Sequence, residues 1–315
     1  MAQVPCAPAV YCILPGGGTV PLCALQRQGT AMKAVARMTL KDGRKLAWRE
    51  YGSPGGYPVF FFHGNLNSRL FQACWDKEQE ITEAADARLI AVDRPGYGSS
   101  DYLPGRTYAS WSSDVSELAG HLGCERFAVF GFSSGGPNAL ACAVRLPSKV
   151  AACGLMSSDG PYKILGMVKE MFGSEVLSQE IASERTRQKH EELIQSYAGL
   201  KPGRKELALA DLANAACQGL EKGPSQDCQL EAGDWGFRAS DVDGTQVPVH
   251  LWHGVADKDV PVEVAHYLAK QIPGVAARFI EGESHSMVRR KWGEFLELLV
   301  ATAREGYPSL PSSKL

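Results

Sequence analysis

A serine hydroxyl is a poor nucleophile at neutral pH and becomes a useful one only where a neighbouring base takes its proton. Gly131-Phe132-Ser133-Ser134-Gly135 offers a serine in that setting. It follows a continuous apolar run at Phe127 to Phe130 and leads into helical spacing from Ser134 to Leu146. On a tight strand-to-helix turn the Ser133 hydroxyl is pushed clear of the sheet, and glycines two residues to either side give the turn its room. The helix that begins there supplies free N–H groups and a partial positive charge for a developing oxyanion. Pro137 falls in the first helical turn, where it costs no hydrogen bond.

The partners of such a serine follow from topology. A second oxyanion donor belongs after an early strand, where Val59 to Phe62 ends in His63-Gly64-Asn65-Leu66-Asn67. The N–H of Asn65, paired with that of Ser134, is the candidate, and His63 reads as a structural turn residue. The base must be one of seven histidines. His121, His190 and His266 fall in helical stretches, and His250 and His253 fall within or directly after a strand. His285 alone lies in a loop after the last strand, Glu281 to Met287, on the edge where loops at strand carboxyl ends gather. The orienting acid should come between serine and histidine in chain order. Trp252-His-Gly-Val-Ala-Asp257-Lys-Asp259-Val-Pro offers two carboxylates after a strand. Asp257 is the choice, Asp259 is assigned to capping the next helix, and Asp159 is the substitute acid.

These residues need a scaffold. Met38 to Leu40 and Leu46 to Tyr51 form a hairpin about Asp42-Gly43. Buried strands follow at Val59 to Phe62, Arg88 to Val92, Phe127 to Phe130 and Val150 to Met156, with a helix over Tyr108 to Leu122. Strands resume at Val247 to Trp252 and Ala276 to Ile280, around a helix at Val262 to Ile272, and Trp292 to Ala303 closes as a helix. The alternation predicts an α/β fold with a doubly wound, mostly parallel, eight-stranded sheet. Residues 161–240 carry no strand-like run and contain amphipathic stretches at Glu180 to Tyr197 and Lys205 to Gly219, broken at Pro202-Gly203. They form a helical cap inserted between the core segments 36–160 and 241–305. Residues 1–35 read as an irregular extension, ahead of a possible start at Met32, and 306–315 as a flexible tail.

His63-Gly64, Asp93-Arg94-Pro95-Gly96-Tyr97-Gly98, Gly131-Phe-Ser-Ser-Gly135, His253-Gly254-x-x-Asp257-x-x-Val260-Pro261 and a late histidine, in this order, resemble the α/β-hydrolase superfamily over residues 36–305. The resemblance implies Ser133 as nucleophile, Asp257 as acid and His285 as base. It also implies a structural turn at Asp93 to Gly98. Members with an aspartate nucleophile dehalogenate or open epoxides, and serine at position 133 argues against both reactions.

Composition narrows the partners. A net charge of −2 with no basic stripe gives no reason to expect nucleic acid. The apolar runs are too short to span a bilayer. Nine cysteines, none in C-x-x-C spacing, read as buried thiols of a reducing compartment. Residues 7–14 are too short and too broken by Pro8 for a secretory signal. Ser313-Lys314-Leu315 matches a peroxisomal address and would engage its import receptor in a eukaryotic host; otherwise the chain is expected in the cytoplasm. The expected function is a serine hydrolase acting on an acyl ester or thioester, with no metal or organic cofactor. Leu66, Phe132, Trp235 and Phe237 are the candidate pocket residues. A thioesterase, an acyltransferase or a carbon–carbon hydrolase would use the same triad. A non-catalytic ligand-binding protein on the same scaffold is the alternative from another class.

Overall fold

The computed structural model describes residues 11–13, 19–21, 35–74 and 77–305, with side chains described for 35–72 and 77–305. Ten strands are described: β1 (Tyr11–Ile13), β2 (Thr19–Pro21), β3 (Ala36–Thr39), β4 (Lys45–Gly52), β5 (Tyr57–Phe62), β6 (Ala87–Val92), β7 (Phe127–Phe132), β8 (Val150–Met156), β9 (Val249–Gly254) and β10 (Ala276–Ile280). Eight of them form one sheet in the order β10-β9-β8-β7-β5-β6-β4-β3. Only the β3–β4 and β4–β6 pairs are antiparallel; the remaining neighbours run parallel.

Strand side chains alternate between two buried layers because successive residues point to opposite faces. Phe60, Phe62, Ile90, Val92 and Val129 join one layer, while Val59, Phe61, Leu89, Ala91 and Phe130 join the other. The first layer is covered by α2 (Tyr108–His121), α3 (Gly135–Arg145) and α9 (Val262–Gln271), which contribute Trp111, Leu140 and Leu268. The second is covered by α1 (Glu78–Ala84), through Ile81, and by α10 (Met287–Glu305), through Trp292, Phe295 and Leu299. A parallel sheet clad on both faces explains why its strands read as unbroken apolar runs.

Between β8 and β9 the chain is helical: α4 (Tyr162–Leu165), α5 (Val168–Phe172), α6 (Gln179–Ser196), α7 (Arg204–Ala216) and α8 (Gly223–Ala232). Sequence patterning marks α6 and α7 but not α8. Gly223 through Cys228 are all buried, so α8 presents no polar stripe to read. Ahead of the sheet, β1 and β2 pair antiparallel within a segment expected to be irregular. Tyr11, Cys12, Ile13, Thr19 and Val20 are strand-favouring types, and Pro15-Gly16-Gly17-Gly18 separates them. The Ser313-Lys314-Leu315 expectation lies outside the described residues. Among those described, no helix is long and apolar enough to cross a membrane.

The Trp292 ring lies 5.1 Å from Phe61 and 4.9 Å from Phe130, at 1% exposure. Trp292→Ala should lower unfolding stability by about 3–5 kcal/mol, read as an earlier midpoint in urea denaturation; an unchanged midpoint would contradict this packing.

Candidate active site

Ser133 sits between β7 and α3 with φ 51°, the left-handed region that non-glycine residues seldom adopt. The neighbouring glycines are required sterically. A Cβ on Gly131 would collide with the Gly135 carbonyl, one on Gly135 with the Phe62 carbonyl, and one on Gly136 with the Ser158 hydroxyl. The turn is held by the Ser133 N–H donating to Met156 O at 3.2 Å and the Gly136 N–H donating to Ser133 O at 2.8 Å. Strain at one residue persists because close-packed backbone on both sides over-determines it.

His285 reaches the turn from the β10–α10 loop. Its Nε2 lies 3.2 Å from Ser133 Oγ, and its Nδ1 lies 2.8 Å from Asp257 Oδ2. The second Asp257 oxygen accepts the N–H groups of Asp259 and Val260, each at 2.9 Å. Asp257 is therefore fixed by its own loop, and the Nδ1–H tautomer leaves Nε2 facing the serine. Burial alone would depress the His285 imidazole. The hydrogen bond and charge of Asp257, with Asp259 and Asp159, carry it above the ordinary histidine value. Nearby His253 uses its Nε2 on the Val260 carbonyl at 3.0 Å, and burial depresses it.

Asn65 and Ser134 line the same cavity as the serine. Among the described residues their N–H groups have no backbone acceptor. The Asn65 side chain is oriented by the Pro224 carbonyl at 3.1 Å, and Tyr97 OH, whose proton goes to Asp227, lies 3.2 Å from its Oδ1. His63, read as a turn residue, is buried with Nδ1 on the Gly64 carbonyl at 2.8 Å, and burial holds it well below its ordinary value. Asp93 accepts the N–H groups of Arg69 and Ser99, each at 2.9 Å, which stiffens its turn.

The cavity measures about 710 Å³. Leu66, Phe71, Phe132, Met171, Phe172 and Val288 supply its apolar wall, and Arg185, Lys189, Lys258 and Arg289 also line it. Of the four expected pocket residues, Leu66 and Phe132 line this space. Trp235 and Phe237 do not: both pack edge-on to Tyr108, at 5.6 and 6.0 Å, and so fill the core beneath the helices. Asp259 is also corrected. It pairs with Lys189 Nζ at 2.9 Å, while α9 begins after Pro261 without a side-chain cap. Asp159 and Glu231 join the lining, the latter with no sequence signal because it lies on α8.

Two polar anchors bring the insertion helices to the cavity. Asp227 on α8 receives Arg94, Arg106 and Tyr97 OH in a fully buried cluster. Asp211 on α7 accepts the Ser68 N–H at 2.9 Å and Asn67 Nδ2 at 3.0 Å, which ties α7 to the loop carrying Asn65. Asp257, Asp259 and His285 also bring potential metal-ligand atoms within 4.8 Å of one another. Asp257 already spends its oxygens on His285 and two backbone N–H groups, so a cation there would have to break those bonds.

Comparison with known proteins agrees with this fold. The model of the alpha/beta hydrolase family matches residues 59–298, well over half the chain. The chain belongs to that family. As a family member it is 27% identical, over 72% of its length and 84% of the relative's, to a bifunctional esterase/perhydrolase of Acinetobacter calcoaceticus. It is 35% identical over 122 residues to the dihydrolipoyllysine-residue acetyltransferase component of the acetoin cleaving system of Pseudomonas putida, and spans 31% of that protein's length. An esterase structure from Exiguobacterium antarcticum superposes with a TM-score of 0.65 at 23% identity, covering 86% of this chain and all of the other.

Titration of the His285 imidazole by NMR should give a value above the ordinary histidine range, falling in Asp257→Asn. The sign for stability follows. A raised folded value means that the His285–Asp257 pair contributes fully at pH below the unfolded value of about 6.5 and that this contribution fades as pH rises through the folded value. An imidazole titrating below 6.5 in the wild type would contradict the arrangement.

Proposed function

We propose that this hydrolase-family chain cleaves a carboxylic ester or thioester through an acyl-enzyme on Ser133. The observation that carries the reading is the unbroken relay from Ser133 Oγ to His285 Nε2 at 3.2 Å and from His285 Nδ1 to Asp257 at 2.8 Å, opening on a cavity of about 710 Å³. His285 takes the Ser133 proton as Oγ attacks the substrate carbonyl carbon, and Asp257 stabilises the imidazolium without accepting its proton. The Asn65 and Ser134 N–H groups receive the oxyanion, the second assisted by the positive end of α3. As the tetrahedral intermediate collapses, the bond to the leaving alcohol or thiol breaks and His285 protonates that group. Water then surrenders a proton to His285 and attacks the acyl-enzyme, releasing the acid and restoring Ser133. Every bond and proton of this cycle is handled by three side chains and water.

Helices α4–α8 act here as a cap. They enclose the apolar wall at Phe71, Phe132, Met171 and Phe172, which suits an acyl chain. A relative named a bifunctional esterase/perhydrolase supports ester chemistry as a reading of this relay.

Hydrolysis of p-nitrophenyl esters and acyl thioesters of graded chain length tests the reading. Ser133→Ala should lower kcat by on the order of 10⁴–10⁶ and abolish labelling by a fluorophosphonate. Equal turnover by both proteins would refute it.

A further inference from the structure

The cavity holds two acids that the relay does not use. Asp159 follows β8 and Glu231 lies on α8; each is 5% exposed and each lines the cavity beside Ser133 and Ser134. Asp159 is tied to the serine turn by its own N–H, which donates to the Ser133 carbonyl at 3.2 Å. The Ser134 side chain interacts with both carboxyl groups, and Tyr162 OH donates to Asp159. Neither acid forms an ion pair among the described residues. Arg94 and Arg106, the buried cations on this side, are held by Asp227. Glu231 Oε1 is fully buried and has no hydrogen-bond partner.

Burial raises both carboxyl groups, Glu231 further than Asp159, and the charge of Asp159 raises Glu231 again. The pair thus lacks an ion-pair partner, and one Glu231 oxygen lacks a donor, in a place where polar groups are normally satisfied. It also interacts with the Ser134 side chain, on the residue whose N–H is proposed for the oxyanion, so negative charge on the pair would oppose the reaction. A cation brought in by the substrate would meet the part of the pair that lines the cavity and offset that opposition. A plain alkyl acyl group would do neither.

On the serine-hydrolase reading above, we propose that Asp159 and Glu231 form an acidic subsite for a protonated amine of the substrate, set a few bonds from the scissile carbonyl. The substrate class is then an amino-acyl ester or thioester rather than a fatty one. Glu231 is the specificity residue; Asp159, held by Tyr162 and the serine turn, carries the shared negative charge.

The test compares methyl esters that differ in one group: β-alanine methyl ester against methyl butyrate, and L-alanine methyl ester against methyl isobutyrate. In each pair an ammonium is replaced by a methyl of similar size. The wild type should favour the amine in kcat/KM by about tenfold or more, and Glu231→Gln and Asp159→Asn should each shrink that ratio. Methyl lactate, with a neutral hydroxyl, should rank with the isobutyrate. Equal or better turnover of the methyl partners by the wild type, an unchanged ratio in both variants, or lactate matching alanine would overturn the subsite. Fluorophosphonate labelling of wild-type Ser133 scores the hydrolase reading separately. A labelled protein without amine preference sinks the subsite alone.

Discussion

Between β7 and α3 the chain must reverse within a single residue, and that residue is a serine at φ 51°. A left-handed serine is held there only because Gly131, Gly135 and Gly136 let the Phe62 strand end, the helix start and Ser158 close on the turn from three sides. The parallel sheet provides the vice. β5 and β8 flank β7, so the loops that leave their carboxyl ends meet at one edge. Asn65 comes from the first of those loops and Asp159 from the second, while Asp257 and His285 arrive from the two strands beyond. Relaxing the turn would lower the strain and withdraw the hydroxyl from the imidazole together.

Around this turn the insertion helices are held by buried charge rather than by apolar contact alone. Asp227 against Arg94, Arg106 and Tyr97 fixes α8, and Asp211 against the 64–70 loop fixes α7. Breaking a buried pair leaves an uncompensated charge, so such anchors specify position more than they add stability. Their position matters because α8 carries Glu231 and Cys228 to the cavity and also holds the Asn65 side chain.

The core was legible in the sequence because its signals are local. A parallel strand buried on both faces is a short apolar run, and the switch from that run to helical spacing across Gly131 to Gly135 locates the turn. His285 and Asp257 are legible from topology, since loops at strand carboxyl ends share an edge whatever their sequence separation. Helix α8 was hidden by its complete burial, and Glu231 with it. Trp235 and Phe237 read as pocket residues in the sequence because an aromatic residue that walls a pocket and one that fills a core are the same residue type. Only the position of Tyr108, more than a hundred residues earlier, separates the two cases.

Covalent capture at Ser133 is the claim on which the account turns. Rapid mixing of enzyme with excess p-nitrophenyl ester, followed by acid quench and peptide mass analysis, addresses it directly. The expected result is a burst of p-nitrophenol that does not exceed one equivalent of enzyme, together with an acyl adduct on the peptide carrying Ser133. Steady turnover with no adduct, or an adduct on another residue, would contradict it.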